Sequence, residues 1–212
     1  MKPLLIIDCG HGGISIKGEY TTDPKIGKKY HHDRMELHDN GWFYEGVGNR
    51  VLGYLLGAMA LNEGYPIKYT NDGIHDTGLA ERVRMANNLY DERHGQVVFV
   101  SMHSNAGKGE GWEIWTSKGQ TESDTLATLI YESNKQRGQK FRLDNSDGDP
   151  DKESDFYVLR NTKGIAVLIE HGFFDNPHDV KELVDFDTQM SMCKCTWEGI
   201  KSFYKLKGWI NK

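Results

Sequence analysis

The stretch Leu4-Leu5-Ile6-Ile7-Asp8-Cys9-Gly10-His11-Gly12-Gly13 decides how this chain is read. Four successive aliphatic residues without polar alternation describe a strand buried on both faces, as in a parallel sheet covered by helices. Glycines at 10, 12 and 13 close the run in a tight loop, and that loop carries a histidine. The pattern recurs twice. A strand over Gln96–Ser101, with Val97-Val98-Phe99-Val100 at its centre, runs into Met102-His103, and Ile165–Ile169 runs into Glu170. In α/β sheets ligands gather outside the carboxyl ends of strands, so His11, His103 and Glu170 are placed to converge.

Between these strands the apolar period becomes helical. From near Glu45, Val47, Val51, Tyr54, Leu55, Ala58 and Met59 recur at helical spacing, and Gly64 suits a C-terminal stop. Pro66–Thr70 reads as a second strand, and Leu79–Tyr90 as a helix with Leu79, Val83, Ala86 and Leu89 on one face, capped by Asp76 or Thr77. Gly111–Thr116 predicts another strand, Thr125–Arg137 a helix ending at Gly138, and Asp144–Asp155 an acidic surface loop. Helices near His178–Asp185 and over about Asp187–Tyr204 close the chain. This alternation predicts an α/β fold in a single domain over residues 1–212, with no internal repeat and no linker. Residues 14–44 break the pattern. They are rich in Gly, Lys, Asp and His, lack periodicity, and are long for a loop in a compact domain, which marks an inserted flap or an ordered excursion.

Composition narrows the function. A net charge of -5 over 212 residues argues against nucleic-acid binding, which needs clustered Lys and Arg. No run approaches the roughly 20 apolar residues that cross a bilayer, so no membrane insertion is expected. Leu4–Ile7 is too short for the core of a secretory signal, so the chain is expected to be made in a cytoplasm and to reach any external substrate by another route. Of three cysteines, Cys193 and Cys195 are one residue apart and Cys9 lies beside the candidate site; all three read as reduced thiols.

Two histidines and a carboxylate suit zinc, whose catalytic sites use three N or O ligands and keep a fourth position open. Glu45, at the start of the first long helix, supplies the carboxylate, and Glu36 is a rival ligand inside the 14–44 segment. Glu170 is then free to take a proton from water whose pKa the metal lowers.

The motifs Asp8-Cys9-Gly10-His11-Gly12-Gly13, Glu45 followed by Asn49, Ser101-Met102-His103-Ser104-Asn105-Ala106, and Ile169-Glu170-His171-Gly172-Phe173-Phe174-Asp175-Asn176 resemble those of zinc-dependent N-acetylmuramoyl-L-alanine amidases, and they run in that family's order. Leu79, Arg82, Ala86 and Asn87 match its helix ahead of the second histidine. The resemblance implies a three-layer αβα sandwich with a mostly parallel, twisted sheet of about six strands. It further implies Zn2+ on His11, Glu45 and His103, Glu170 as the catalytic carboxylate, and peptidoglycan as substrate. Two features depart from the family: Cys9 stands where it usually has proline, and Glu45 follows His11 by 34 positions, roughly twice the family's gap. Glu45 is preferred over Glu36 because Asn49, the helical pattern and Gly64 follow it in the family's register. With neither signal nor wall-binding module, the chain looks like a monomeric, endolysin-like lytic enzyme. A zinc peptidase or deacylase, or a non-catalytic wall-binding protein, are the alternatives.

Other residues admit two readings. Asn105 is a candidate for hydrogen-bonding substrate, or for satisfying local backbone. Arg82 and Asn87 are expected to tie their helix to the sheet. His31, His32, Asp33, Glu36, His38 and Asp39 read as solvated loop charges rather than a second metal site. Trp42 and Phe43 either line a groove or anchor the insertion. Trp112 and Trp115 fall on opposite faces of a strand, so at most one faces the site.

Overall fold

In the computed structural model, which describes residues 2–211, the side chains of the first strand, β1 (Leu4–Cys9), divide between two cores. Leu5, Ile7 and Cys9 enter one and Leu4 and Ile6 the other. Burial on both faces is the physical reason for the unbroken apolar run.

The elements follow in the order β2 (Lys29–His31), β3 (Trp42–Tyr44), α1 (Glu45–Asn62), β4 (Ile67–Tyr69), α2 (Leu79–Glu92), β5 (Val97–Asn105), β6 (Glu113–Thr116), α3 (Glu122–Asn134), β7 (Lys152–Glu153), α4 (Tyr157–Asn161), β8 (Ile165–Phe173), α5 (Asp179–Val184) and α6 (Phe186–Leu206). Six strands form one sheet in the order β4-β1-β5-β8-β6-β7. All neighbours in it are parallel except β6, which runs antiparallel to β8. The core on one face packs α1, α3 and α6 against the sheet, and the core on the other packs α2 and α4. The fold is a three-layer αβα sandwich with a mostly parallel six-stranded sheet. Among the described residues no helix is long and apolar enough to cross a membrane.

Several local expectations are corrected. The apolar stripe expected on α1 is not its buried face: Tyr54 is 45% exposed, while Leu52, Leu56 and Ala60 go inward beside Gly53 and Gly57. A Cβ at Gly53 would lie 2.5 Å from Cys9 Sγ, so glycine is what lets this helix approach β1. Helix α3 starts three residues earlier than Thr125 because Thr121 and Asp124 form a reciprocal capping box, and residues 135–137 form a separate 3-10 turn ahead of Gly138. Helix α2 has Gly78 at its N-cap with no side-chain cap; Asp76 and the Thr77 carbonyl accept from Arg82 instead. The acidic 144–155 segment is not wholly surface loop, since Asp151 is 2% exposed and Lys152–Glu153 add the edge strand β7. Strand β7 and helix α4 are too short to leave a periodic signal.

Residues 14–44 form an ordered excursion containing the 3-10 turn Pro24–Ile26 and the antiparallel pair β2–β3. Phe43 anchors it, fully buried against Phe174, Val180 and Leu183. Two of its histidines are structural groups rather than solvated side chains: the buried His32 places Nε2 2.8 Å from the Phe174 carbonyl, and the half-buried His38 accepts the Tyr44 N–H on Nδ1 at 3.0 Å. All three cysteines are free, and burial pushes the Cys9 thiol up to about 12.

Candidate active site

The site is built where strand ends meet the first turn of α1. Two residues past β1, His11 adopts the left-handed backbone conformation with φ 65°, which non-glycine residues hold only where their surroundings impose it. Here Asn71 Nδ2 donates to the carbonyls of Cys9 and His11, Asn49 Nδ2 donates to the Gly10 carbonyl at 3.1 Å, and the Gly12 N–H donates to Thr22 Oγ1 at 2.7 Å. Gly10 must lack a side chain, because a Cβ there would sit 2.2 Å from the His103 ring. Gly46 must as well, since its Cβ would lie 2.0 Å from the Gly12 carbonyl oxygen. That close approach brings Glu45 up to the His11 loop. Strands β5 and β8 run on past the expected ends, so His103 and Glu170 lie within them, paired in register, with Glu113 of β6 opposite Glu170 on the other side.

One oxygen of Glu45 gathers the histidines. Oε1 lies 3.4 Å from His11 Nε2 and 3.0 Å from His103 Nδ1. The three side chains bring ligand atoms within 4.8 Å of one another. Ligands bound at about 2.0 Å around a tetrahedral centre are separated by about 3.3 Å, so this spacing fits a divalent metal with a nitrogen and oxygen donor set. His11 Nε2 and Glu170 Oε2 are buried without a hydrogen-bond partner, as expected of atoms that face a ligand.

The electrostatics follow from burial and neighbours. Burial opposes the charge on Glu45, but the hydrogen bond to His103 and the closeness of the His11 ring win and hold its carboxyl well below the usual range. Burial lowers the pKa of His103. Burial also works against a charged His11, yet Asp76 and Glu45 outweigh it and its pKa rises. For Glu170, burial and then the Glu45 charge push the carboxyl well above its ordinary value. Two carboxylates in one site with opposite shifts give one group suited to ligation and one suited to carrying a proton.

Asn105 stands slightly apart. Its Nδ2 donates to Glu113 Oε2 at 3.0 Å, and its Oδ1 accepts from the Ala106 N–H at 2.8 Å. Glu36 belongs to neither group of residues whose ligand atoms converge. Trp112 is buried in the core with α3, while the half-buried Trp115 donates to Glu113 Oε2 at 3.2 Å. Arg82 does tie α2 to the sheet, 3.2 Å from Asp8, and Asn87 ties it to residues 161 and 163 ahead of β8.

Two site residues escaped sequence reasoning. Asp76 has a carboxylate oxygen 3.9 Å from His11 Nδ1 and is itself held by Arg82. It was read as a helix cap, because nothing in the spacing links residue 76 to residue 11. Lys28, inside the insertion, places Nζ 3.2 Å from Glu45 Oε2; one lysine among mixed charges carries no signal of its own. A cavity of about 540 Å³ opens beside the cluster, lined by His11 and His103 together with Thr21, Asp23, Ile26 and Asp76, a size suited to a ligand.

A second cavity of about 320 Å³ lies by His171 and contains none of the four residues. Glu110, His178 and Asp179 on its rim also bring ligand atoms within 4.8 Å. There, however, Asp179 Oδ2 accepts the Gly111 and Phe173 N–H groups, and Glu110 pairs with Lys140. Those contacts fasten loops.

Comparison with known proteins bears on the family and the fold. The family model for N-acetylmuramoyl-L-alanine amidase matches residues 5–202. The N-acetylmuramoyl-L-alanine amidase CwlM of Bacillus licheniformis is 33% identical over 105 residues, which are 50% of this chain and 38% of that protein. The chain therefore matches well under half the length of that relative. Among solved structures, the catalytic domain of CwlV, an amidase of the same kind from Bacillus (Paenibacillus) polymyxa var. colistinus, shares the fold with TM-score 0.72 at 23% identity, covering 97% of this chain and 99% of that one. Ami1 from Mycobacterium smegmatis gives TM-score 0.74 at 20% identity, covering 96% and 97%.

Proposed function

The chain belongs to the N-acetylmuramoyl-L-alanine amidase family, and from that premise we propose that it hydrolyses the amide joining N-acetylmuramic acid to the L-alanine that begins the peptidoglycan stem peptide. One observation carries the reading: His11, Glu45 and His103 meet with ligand atoms within 4.8 Å, on the strand and helix ends that flank Glu170.

His11, Glu45 and His103 would hold a zinc ion and leave a coordination position open. When bound, zinc supplies Lewis acidity to the scissile carbonyl and makes water a better nucleophile at neutral pH. Glu170 removes a proton from the attacking water and returns it to the alanine nitrogen as the C–N bond breaks. Its burial supports that role, because a raised pKa makes the carboxyl a stronger proton acceptor than an exposed carboxylate. Asp76 orients His11 from the far side of its ring, and Asn49 Nδ2 and the Ser104 N–H, each 3.4 Å from Glu45 Oε1, hold the carboxylate in place. The products are a lactyl carboxylate on an intact glycan and a stem peptide with a free alanine amine.

Mass spectrometry of digested peptidoglycan tests the assignment. New alanine amino termini on intact glycan strands are the expected result. Free amines elsewhere in the peptide would mark a zinc peptidase or deacylase, and no new amine would mark a wall-binding protein.

A further inference from the structure

Among the insertion's contacts with the candidate metal centre, one side chain forms an ion pair with a candidate ligand. The carbonyl of Lys28 accepts the Glu45 N–H at 3.0 Å, which fixes Lys28 against the first turn of α1. Its Nζ then returns to the same residue, 3.2 Å from Oε2. The Glu45 side chain has 0% exposure and that of Lys28 28%, so the ammonium covers a buried anion from the solvent side. The other oxygen, Oε1, faces both imidazoles at 3.4 and 3.0 Å. The carboxylate is thus divided between a tethered ammonium and the ligand cluster.

We infer that Lys28 is a resident counter-cation of the site: it neutralises Glu45 in the metal-free protein, opposes entry of a divalent ion, and confines Glu45 to ligation through Oε1. The inference rests on reading Glu45 as a metal ligand. A carboxylate taken out of water is costly unless paired, and the Lys28 ammonium, 3.2 Å from Oε2, is the permanent cation placed against it. A cation held against the ligand then repels an arriving dication, weakly screened because the site is buried. Lys28 is a positioning residue in this reading. It sets how tightly the metal binds rather than touching the reacting amide.

Zinc binding to the metal-stripped full chain, measured at fixed pH by competition with a chromophoric chelator, tests this. Lys28→Met is expected to bind zinc at least about tenfold more tightly than the wild type, and its metal-free form to melt at a lower temperature. Lys28→Arg keeps the charge and stays near wild type. Should the methionine variant fail to fold, Lys28→Gln is expected to give the same increase. Unchanged or weaker zinc binding in the folded neutral variant overturns the proposal. Glu45→Gln separates it from its premise. If that variant binds zinc as well as the wild type, the ligand assignment itself is wrong. If it loses zinc while the neutral Lys28 variant matches wild type, the role of Lys28 alone is refuted.

Discussion

Glu170 lies in register between His103 and Glu113, in a surrounding that favours its protonated form. A carboxyl so placed is poor as a metal ligand and good as a proton carrier, whereas the ionised Glu45 is the reverse. Replacing Glu170 by Gln preserves shape and removes only the proton chemistry. Glu170→Gln is expected to lower the rate of amide hydrolysis by about 10² to 10⁴ while zinc content, measured by atomic absorption, stays at the wild-type level. Full activity in that variant would remove Glu170 from the mechanism. The side chain was legible in sequence because a carboxylate directly after five buried apolar residues needs a purpose. Asp76 and Lys28 were not, since each acts on a site residue only through tertiary contact.

At the scale of elements, helix α1 positions Glu45, the proposed ligand, by how closely it approaches the β1 loop. The contact is backbone to backbone, with the Gly46 Cα over the Gly12 carbonyl oxygen. Gly46→Ala would put a methyl group 2.0 Å from that oxygen, and no flexible side chain is present to give way. The helix must retreat and take Glu45 with it. The variant is expected to lose roughly 1–3 kcal/mol of stability in urea unfolding and to bind zinc more weakly in a chelator titration. Retention of wild-type zinc affinity would show that the helix start does not set the ligand position. Two later glycines, Gly53 and Gly57, explain why the apolar stripe of α1 is not its buried face. Hydrophobic periodicity locates large side chains, but where glycines face the sheet the large residues turn partly outward.

For the molecule as a whole, a further carboxyl is buried at Asp151, next to the edge strand β7. Burial, followed by hydrogen bonding to Asp149, pushes Asp151 up to about 8, while its Oδ2 accepts from Thr116 Oγ1 at 2.6 Å. The folded state therefore keeps a proton that the unfolded chain releases above its ordinary value near 3.8. Between those limits the native protein binds more protons than the unfolded one, so this group's contribution to stability falls as pH rises from about 4 to about 8. Asp151→Asn removes the ionisation. Urea unfolding at pH 5 and pH 8 is expected to show the variant gaining on the wild type at the higher pH. An identical pH dependence for the two proteins would show that Asp151 is ionised in the native state. Asp144–Asp155 read as an acidic surface loop because charge density dominates its composition, and only the fold reveals that one of those carboxyls is inside.

The amino-acid order alone determined the fold class, the strands that lead into His11, His103 and Glu170, and the helix that begins near Glu45, because burial on both faces leaves continuous apolar runs and helices leave a 3.6-residue period. Tertiary structure decided what surrounds those residues. It turned glycines into the contact face of α1, folded residues 14–44 into an anchored excursion, and brought Asp76 to His11 and Lys28 to Glu45 from distant parts of the chain. Contacts between side chains far apart in sequence follow no local period, so they become readable only once the strands have been laid side by side.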